Sequence, residues 1–186
     1  MRPIYLVNNF GQFNHLIKRM LRDLEIDAEM IKNDTPPETV AEECRGIILG
    51  GGPDISRANF AMEYVDLGLP VLGICLGHHI IASRRGGTVT KGAMGGFGGV
   101  EVEILDHCNI LEGFPDKISV WASHADEVRK MPEGFTLLAK SDICGVEAMA
   151  KPDEHLYGLQ WHPEVSHTEN GHIVFENFDR ITKELL

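Results

Sequence analysis

One cysteine lies in a setting that favours nucleophilic chemistry. Cys75 has Gly73 two residues before it and Gly77 two residues after it, between an apolar run and a segment of helical character. This order of strand, nucleophile and helix is that of a nucleophile elbow, with cysteine in place of serine. A helix N-terminus also places partial positive charge beside the sulfur, which favours the reactive thiolate. We therefore predict that Cys75 is a catalytic nucleophile.

A histidine and a glutamate late in the chain could serve this cysteine. His162 precedes Pro163, and a residue before proline is extended, so the side chains of His162 and Glu164 are expected to project to similar sides. A carboxylate in that position orients one imidazole nitrogen while the other nitrogen faces the thiol. We predict a triad of Cys75, His162 and Glu164, which requires distant parts of the sequence to meet.

Two glycine-rich runs have different interpretations. Gly50–Pro53 follows an apolar strand, so its backbone N–H groups, paired with that of Leu76, are candidates for binding a tetrahedral oxyanion. A tight turn between strand and helix is compatible with the same role. Gly92–Gly99 matches neither the P-loop nor the dinucleotide-binding fingerprint, and we interpret it as a mobile loop near the site.

No metal site is expected from the histidines and cysteines. His78 and His79 are adjacent on a predicted helix, so their side chains point about 100° apart, and no third ligand accompanies them at a suitable spacing. The cysteines other than Cys75 lack a C-x-x-C spacing and are interpreted as free thiols of a reducing compartment; they are Cys44, Cys108 and Cys144.

The elements that must position these residues alternate between strand and helix. Apolar runs at Ile4–Val7, Gly46–Leu49 and Val71–Ile74 predict buried parallel strands separated by amphipathic segments. We predict an α/β fold with a doubly wound, mostly parallel sheet flanked by helices and additional antiparallel β pieces in the second half. Ligands bind such sheets at the carboxyl ends of the strands. Further strands are predicted at Ile26–Ile31, Val100–Leu105, Ile118–Trp121, Phe135–Ala139, Val146–Ala150 and Leu156–Leu159, and helices at 13–24, from Pro36, and at Ala58–Leu67, Leu76–Arg85 and Asn170–Leu185.

Length and charge exclude several classes of function. The chain has 186 residues, of which 43% are hydrophobic, and we expect one domain over residues 1–186. Its 17 basic and 28 acidic residues give a net charge of −11, which argues against a nucleic-acid partner. Neither an apolar signal region nor a membrane-spanning run is seen, so a cytoplasmic location is expected.

Four sequence blocks carry a resemblance to a known enzyme family. They are Gly51–Pro53, Pro70–His78, Trp121–Val128 and Tyr157–Thr168. Together they resemble the class I, or triad-type, glutamine amidotransferases, and among these the stand-alone glutaminase subunits of the archaeal-type, two-subunit GMP synthases. The Ser-His-x-Asp-x-Val block and the His-Thr after His-Pro-Glu-Val point to that branch. The resemblance covers essentially the whole chain and implies a flavodoxin-like fold.

The resemblance also implies a reaction. Cys75 would attack the carboxamide of L-glutamine, His162 would transfer protons and Glu164 would fix the imidazole, while the N–H groups of Gly52 and Leu76 would bind the oxyanion. Water would then release glutamate from the thioester. The ammonia would pass to a separate ATP-pyrophosphatase subunit in a heterodimer, where XMP is converted to GMP. No cofactor is implied in this chain, whereas ATP and Mg²⁺ are expected on the partner.

Some positions depart from the family pattern. The substrate-binding residues that the resemblance implies are Gly51, His79, Ser123, His124 and Asp126. His79 stands where the family usually has glutamine, Asn8 stands where it usually has aspartate, and the acidic residues common near Gly95-Gly96 are missing. We expect these changes to affect glutamine affinity. We also expect glutaminase activity to be weak in the isolated chain and stronger with its partner.

Three other functions remain open from the sequence. The glutaminase subunit of anthranilate or aminodeoxychorismate synthase shares the chemistry and differs in its partner. A γ-glutamyl hydrolase uses a similar cysteine without any partner. A catalytically silent regulatory subunit would only bind glutamine or the partner, and the joint presence of Cys75, His162 and Glu164 argues against it.

Overall fold

One nine-stranded mixed sheet organises the chain, and a computed structural model describes all residues from 1 to 186. The strands are β1 (Ile4–Asn8), β2 (Ala28–Lys32), β3 (Gly46–Leu49), β4 (Val71–Ile74), β5 (Thr88–Ile104), β6 (Lys117–Lys130), β7 (Thr136–Lys140), β8 (Ala148–Lys151) and β9 (Leu156–Leu159). The helices are α1 (Asn14–Asp23), α2 (Pro37–Glu43), α3 (Ala61–Tyr64), α4 (Leu76–Arg84) and α5 (His172–Glu184). The strand order is β2-β1-β3-β4-β9-β8-β7-β5-β6.

The sheet has a parallel half and an antiparallel half. Strands β2, β1, β3, β4 and β9 pair in parallel, whereas the remaining pairs, from β9 to β6, are antiparallel. Leu49 at the end of β3 pairs with Gly73, and Ile74 at the end of β4 pairs with Leu159. The carboxyl ends of the central strands therefore meet at one edge, as the sequence predicts, and the α/β fold class is confirmed.

Both faces of the parallel half are covered by apolar side chains. Along β3, Ile48 packs into one hydrophobic cluster, whereas Ile47 and Leu49 pack into the cluster on the opposite face. This alternation follows from the two-residue period of a strand, and burial on both faces explains the continuous apolar run in the sequence. Helix α1 adds Ile17 and Leu21 to the first cluster, since its apolar residues recur at helical spacing.

A buried arginine fixes the C-terminal helix to the start of β3. The Nη2 atom of Arg45 lies 2.7 Å from Oδ1 of Asp179 on α5, and its Nε donates to the carbonyl of Arg2 at 2.9 Å. The same guanidinium donates to the hydroxyl of Thr182. Because a Cβ atom on Gly46 would overlap Thr182, the helix packs directly against the strand backbone. This contact stabilises the amino end of β3, opposite the carboxyl ends of β3 and β4.

The glycine-rich run predicted as a mobile loop forms part of a strand instead. The whole run lies within β5, where Gly96 pairs with His124 and Gly99 pairs with Trp121. Strand pairing uses only backbone groups, and the register shift between Lys91 and Gly96 accommodates the intervening residues as an irregularity in the ladder. The loop prediction for Gly92–Gly99 is therefore wrong.

The predicted helix at Ala58–Leu67 is also shorter than expected. Within this range only the single turn of α3 is helical, because Asn59 adopts a positive φ of 47° that separates α3 from a 3₁₀ turn at Ile55–Arg57. None of the helices in this structure combines the length and apolar character needed to cross a bilayer.

The ion pair between Arg45 and Asp179 gives a test of how α5 is held. We expect Asp179→Ala to lower the free energy of unfolding by about 2–3 kcal/mol, because it leaves the charge of Arg45 buried without its partner. Urea denaturation measures this change. The matched control is Asp23→Ala, which removes a solvent-exposed pair with Arg22 and should leave the midpoint unchanged. Equal midpoints for the two variants would contradict this role for Arg45.

Candidate active site

Cys75 occupies a strained position between a strand and a helix. Its backbone has φ 54° and ψ −105°, in the region of positive φ that non-glycine residues rarely adopt. Strain of this kind costs on the order of 1–3 kcal/mol and persists where surrounding structure enforces it. Here the Cys75 N–H donates to the carbonyl of Leu159 at 2.8 Å, and its carbonyl accepts from the N–H of His79 at 3.2 Å. The predicted nucleophile elbow is present.

The two glycines around Cys75 are required by close backbone approaches. A Cβ atom on Gly73 would overlap the backbone of Gly77, because the chain doubles back within four residues. A Cβ atom on Gly77 would overlap the carbonyl group of Leu49 on β3. Gly73 therefore allows the strand end to approach the first turn of the helix, and Gly77 allows the helix to approach the neighbouring strand.

His162 and Glu164 form a tight pair beside the cysteine. The Nδ1 atom of His162 lies 2.6 Å from Oε1 of Glu164, and both side chains are almost fully buried. A Cβ atom built on Gly51 would lie 3.4 Å from Cε1 of His162 and 4.0 Å from Cβ of Cys75, so both residues border the same point, and the imidazole is hydrogen-bonded to Cys75. The thiol of Cys75 also lies within hydrogen-bonding reach of the carbonyl of Ser123, with an Sγ–O distance of 3.7 Å. The three predicted triad residues meet.

The partners of His162 determine its protonation. Burial lowers the pKa of this imidazole, but hydrogen bonds to Cys75 and Glu164, together with the charges of those groups, outweigh burial and raise the pKa to about 10. His162 therefore carries a proton at neutral pH in the free protein. Positive charge beside a cysteine sulfur stabilises the thiolate, which is the nucleophilic form.

The backbone of His162 is fixed by β6 and by the loop that follows Glu164. Its N–H donates to the carbonyl of Trp121 at 2.9 Å, and its carbonyl accepts from the hydroxyl of Thr168 at 2.7 Å. The same hydroxyl accepts from the N–H of Trp121 at 2.9 Å. The ring of Phe13 packs edge-on against the imidazole, with 4.9 Å between ring centroids. The imidazole is therefore held in one orientation.

A cavity of about 680 Å³ opens onto the sulfur of Cys75. It contains almost all of the residues predicted for the site, namely Gly51, Gly52, Cys75, Leu76, His79, Ser123, His124, Asp126 and His162. Glu164 does not line this cavity and lies behind the imidazole, as expected of a residue that orients a base. The nucleophile and its base are thus accessible to a small molecule.

Two backbone N–H groups on residues that line the cavity with Cys75 are candidates for an oxyanion hole. Leu76 is the first residue of α4, where N–H groups have no acceptor within the helix. The N–H of Gly52 has no hydrogen-bond partner in the structure, and a Cβ atom on Gly52 would lie 2.7 Å from Cδ2 of Leu76. Free donors that border the nucleophile can stabilise a negative oxygen in a tetrahedral intermediate.

His79 interacts with a buried amide that the sequence patterns did not indicate. Its Nε2 donates to Oε1 of Gln160 at 2.8 Å, and the amide Nε2 of Gln160 lies 4.0 Å from Sγ of Cys75. Burial lowers the pKa of His79, so the imidazole is neutral at pH 7. Gln160 thus links His79 to the nucleophile. Its position two residues before His162 is the sequence signal that could have marked it as a site residue.

The Ser-His-x-Asp block lies on β6 at the cavity wall. Nδ1 of His124 contacts the carbonyl of Asp126 at 2.9 Å, and burial lowers the pKa of His124, which is therefore neutral at pH 7. The carboxylate of Asp126 is exposed at the rim. Within the cavity the block therefore presents a backbone carbonyl from Ser123, a neutral imidazole and a free carboxylate.

The contact between Gly77 and Leu49 predicts a specific sensitivity. We expect Gly77→Ala to lower the free energy of unfolding by about 1–3 kcal/mol, because the added methyl group forces the strand and helix apart. The rate at which iodoacetamide alkylates Cys75 should fall as well, since the bend that exposes the sulfur is disturbed. Gly145→Ala is the control, because a Cβ atom there meets open space. Identical behaviour of the two variants would refute the steric argument.

The interaction between Glu164 and His162 predicts a pH dependence. The raised pKa of His162 contributes stability that is complete below its ordinary pKa of 6.5 and is lost as the pH rises towards 10. In Glu164→Gln the pKa of His162 should fall markedly, because burial is then opposed only by the thiol. An NMR titration of the imidazole measures both values. Glu169→Gln, which changes an exposed carboxylate on the same loop, should leave the pKa of His162 raised; an unchanged pKa in Glu164→Gln would contradict the pairing.

Comparisons with known proteins show the family of this chain. The glutamine amidotransferase class-I family matches residues 5–181. The chain is 66% identical over 184 residues to a glutamine-hydrolyzing GMP synthase subunit of Methanoculleus marisnigri, covering 99% of this chain and 100% of that protein. The crystal structure of a putative GMP synthase subunit from Thermoplasma acidophilum superimposes with a TM-score of 0.94 at 34% identity, covering 100% of this chain and 96% of that one. This chain belongs to the class I glutamine amidotransferase family.

Proposed function

We propose that this chain hydrolyses L-glutamine to glutamate and ammonia and supplies the ammonia to a separate ATP-pyrophosphatase subunit that converts XMP to GMP. The observation that carries the glutaminase chemistry is the placement of Cys75 at a strained elbow, beside the His162–Glu164 pair and open to a cavity. The choice of partner is supported by relatives named as glutamine-hydrolyzing subunits of GMP synthase, which match over their whole length.

The first chemical step is acyl transfer to sulfur. The thiolate of Cys75 attacks the carboxamide carbon, and the carbonyl oxygen becomes an oxyanion that accepts from the N–H groups of Gly52 and Leu76. The imidazolium of His162 gives its proton to the departing nitrogen, so that the carbon–nitrogen bond breaks and ammonia leaves. Glu164 stabilises the cationic imidazole before that transfer and keeps its ring oriented.

The second step regenerates the thiolate of Cys75. With the amide nitrogen gone, the neutral imidazole of His162 removes a proton from water, and the resulting hydroxide attacks the γ-glutamyl thioester. The tetrahedral intermediate again places its oxyanion on the same two backbone donors, and it collapses to release glutamate and the thiolate of Cys75. One water is consumed, and one ammonia and one glutamate are produced.

The cavity walls offer groups that suit the rest of glutamine. The carbonyl of Ser123 lies beside the sulfur and can accept a hydrogen bond from the carboxamide nitrogen. The exposed carboxylate of Asp126 has the charge required to bind the α-ammonium group. Gly51, His79 and His124 complete the proposed substrate contacts along the cavity. His79 would act as a neutral donor or acceptor, since its pKa is lowered by burial.

Synthesis of GMP requires chemistry that this chain is not proposed to supply. We assign ATP and Mg²⁺ to the pyrophosphatase subunit of a heterodimer, whereas the residues of this chain need no cofactor for thioester formation and hydrolysis. The departures at Asn8 and His79 lead us to propose that the cavity binds glutamine weakly in the isolated chain and more tightly after the partner docks. Ammonia would then be released only where it can be used.

Reconstitution with the partner tests this function. We expect glutamine, XMP and ATP to give GMP only when both proteins are present, and we expect the pyrophosphatase subunit to raise glutamine turnover. Cys75→Ala should abolish glutamine-dependent synthesis by removing the nucleophile, a loss on the order of 10⁴-fold or more. Ammonium chloride should still support GMP formation with this variant.

The same assay separates the competing assignments. Transfer of ammonia to chorismate by a cognate synthase, and not to XMP, would replace the proposed partner. Release of glutamate from γ-glutamyl peptides without a partner would indicate a hydrolase. Glutamine turnover that is equal with and without the pyrophosphatase subunit would contradict the activation by docking.

A further inference from the structure

A cluster of asparagine side chains lies behind the loop Gly50–Pro53 at the active site. Asn9 and Asn14 are almost fully buried, and neither lines the cavity. The amide Nδ2 of Asn9 donates to the carbonyl of Gly50 at 3.1 Å, and that of Asn14 donates to the carbonyl of Gly51 at 3.2 Å. Two successive carbonyl groups of the loop are therefore held by two side chains from outside it.

The second of these hydrogen bonds determines where the N–H of Gly52 points. In a trans peptide the carbonyl and the N–H point in opposite directions, and the carbonyl of Gly51 shares its peptide plane with the N–H of Gly52. Asn14 is buried and does not line the cavity, so the carbonyl that it holds lies on the side away from the cavity and the N–H is directed towards the cavity. No other group in the structure accepts from this N–H, which leaves it free for an oxyanion.

A glycine–glycine peptide needs such a restraint more than most. Neither Gly51 nor Gly52 has a side chain that disfavours rotation of the peptide between them, so the plane can turn over at little steric cost. The turned-over plane would present the carbonyl oxygen of Gly51 to the developing negative charge and would repel it. The hydrogen bond from Asn14 favours the productive orientation by an amount that is lost if the plane turns.

We propose that Asn14 is a positioning residue for the reaction, which acts by locking the peptide between Gly51 and Gly52 with its N–H in the oxyanion hole. This inference rests on the proposed glutaminase function and deepens it. Asn8 supports the lock, because its Oδ1 accepts from Nδ2 of Asn14 at 3.0 Å and from the N–H of Phe10 at 2.9 Å. Asn8 thereby orients the amide whose donor restrains the loop.

Substitutions of Asn14 and Asn8 can separate a change of side-chain shape from the loss of a hydrogen bond. Asn14→Asp keeps the shape but removes the donor, and Asn14→Ala removes both, so each should lower kcat for glutamine by about 10-fold or more, up to the roughly 10²–10³-fold loss that follows removal of an oxyanion donor itself. KM should change little, since the ground-state substrate does not carry the oxyanion. Asn8→Ala should lower kcat in the same direction. Asn8→Asp retains an acceptor for the Asn14 amide and should restore kcat.

Two probes of Cys75 separate this role from general damage to the fold. Glutamate γ-semialdehyde adds to the thiol to give a tetrahedral oxyanion or its protonated form, so its inhibition constant should rise in the Asn14 variants. Alkylation by iodoacetamide displaces iodide at a saturated carbon and creates no oxyanion, so its rate should be unchanged. The control is Asn177→Ala, which removes a buried asparagine that donates to the carbonyls of Ile110 and Glu112, none of which lines the cavity.

The results of these experiments test the role of Asn14 and the proposed glutaminase function separately. A loss of kcat and of aldehyde affinity in the Asn14 variants, with a normal alkylation rate and a normal Asn177→Ala control, is the expected result. An unchanged kcat, or an alkylation rate that falls in parallel with kcat, would overturn the role of Asn14. If the Asn14 variants do not fold, the contrast between Asn8→Ala and Asn8→Asp decides. If the wild-type chain hydrolyses no glutamine even with the pyrophosphatase subunit present, the proposed function fails, while the aldehyde and alkylation measurements still test the role of Asn14.

Discussion

The bend at Cys75 is the constraint on which the rest of the site depends. A cysteine with positive φ is held between β4 and α4 by contacts that leave no room for a Cβ atom on Gly73 or Gly77. The contact of Gly77 with Leu49 ties the bend to the neighbouring strand, so the position of the sulfur is set by sheet packing. Strain in the backbone is thereby supported by the most buried part of the fold.

The charge of His162 is the second feature on which the site depends. His162 is buried, which alone would keep it neutral, yet its contacts with Cys75 and Glu164 keep it protonated at neutral pH. The carboxylate, the imidazole and the thiol follow two parallel strands that are adjacent in the sheet, β4 and β9. Side chains placed just after such strands converge at one edge, which explains how residues far apart in sequence can form one site.

Much of this arrangement could be predicted from the sequence because its signals are local. The spacing of Gly73, Cys75 and Gly77 indicates the elbow, and the apolar runs indicate the parallel strands. Backbone pairing leaves no such signal, which is why the glycine content of Gly92–Gly99 pointed to a loop where the structure has a strand. Hydrogen bonds between distant elements, such as that from Asn14 to the carbonyl of Gly51, depend on the packed fold and could not be read from residue spacing.

The central claim is that the sulfur of Cys75 forms a covalent bond with the γ-carbonyl of glutamine. The most direct measurement is the mass of the protein after rapid acid quenching during turnover of isotope-labelled glutamine, followed by peptide mapping. We predict a labelled γ-glutamyl adduct on the peptide that contains Cys75, which disappears on treatment with hydroxylamine. Glutamine turnover without any adduct at Cys75, or with the label on another residue, would contradict the account.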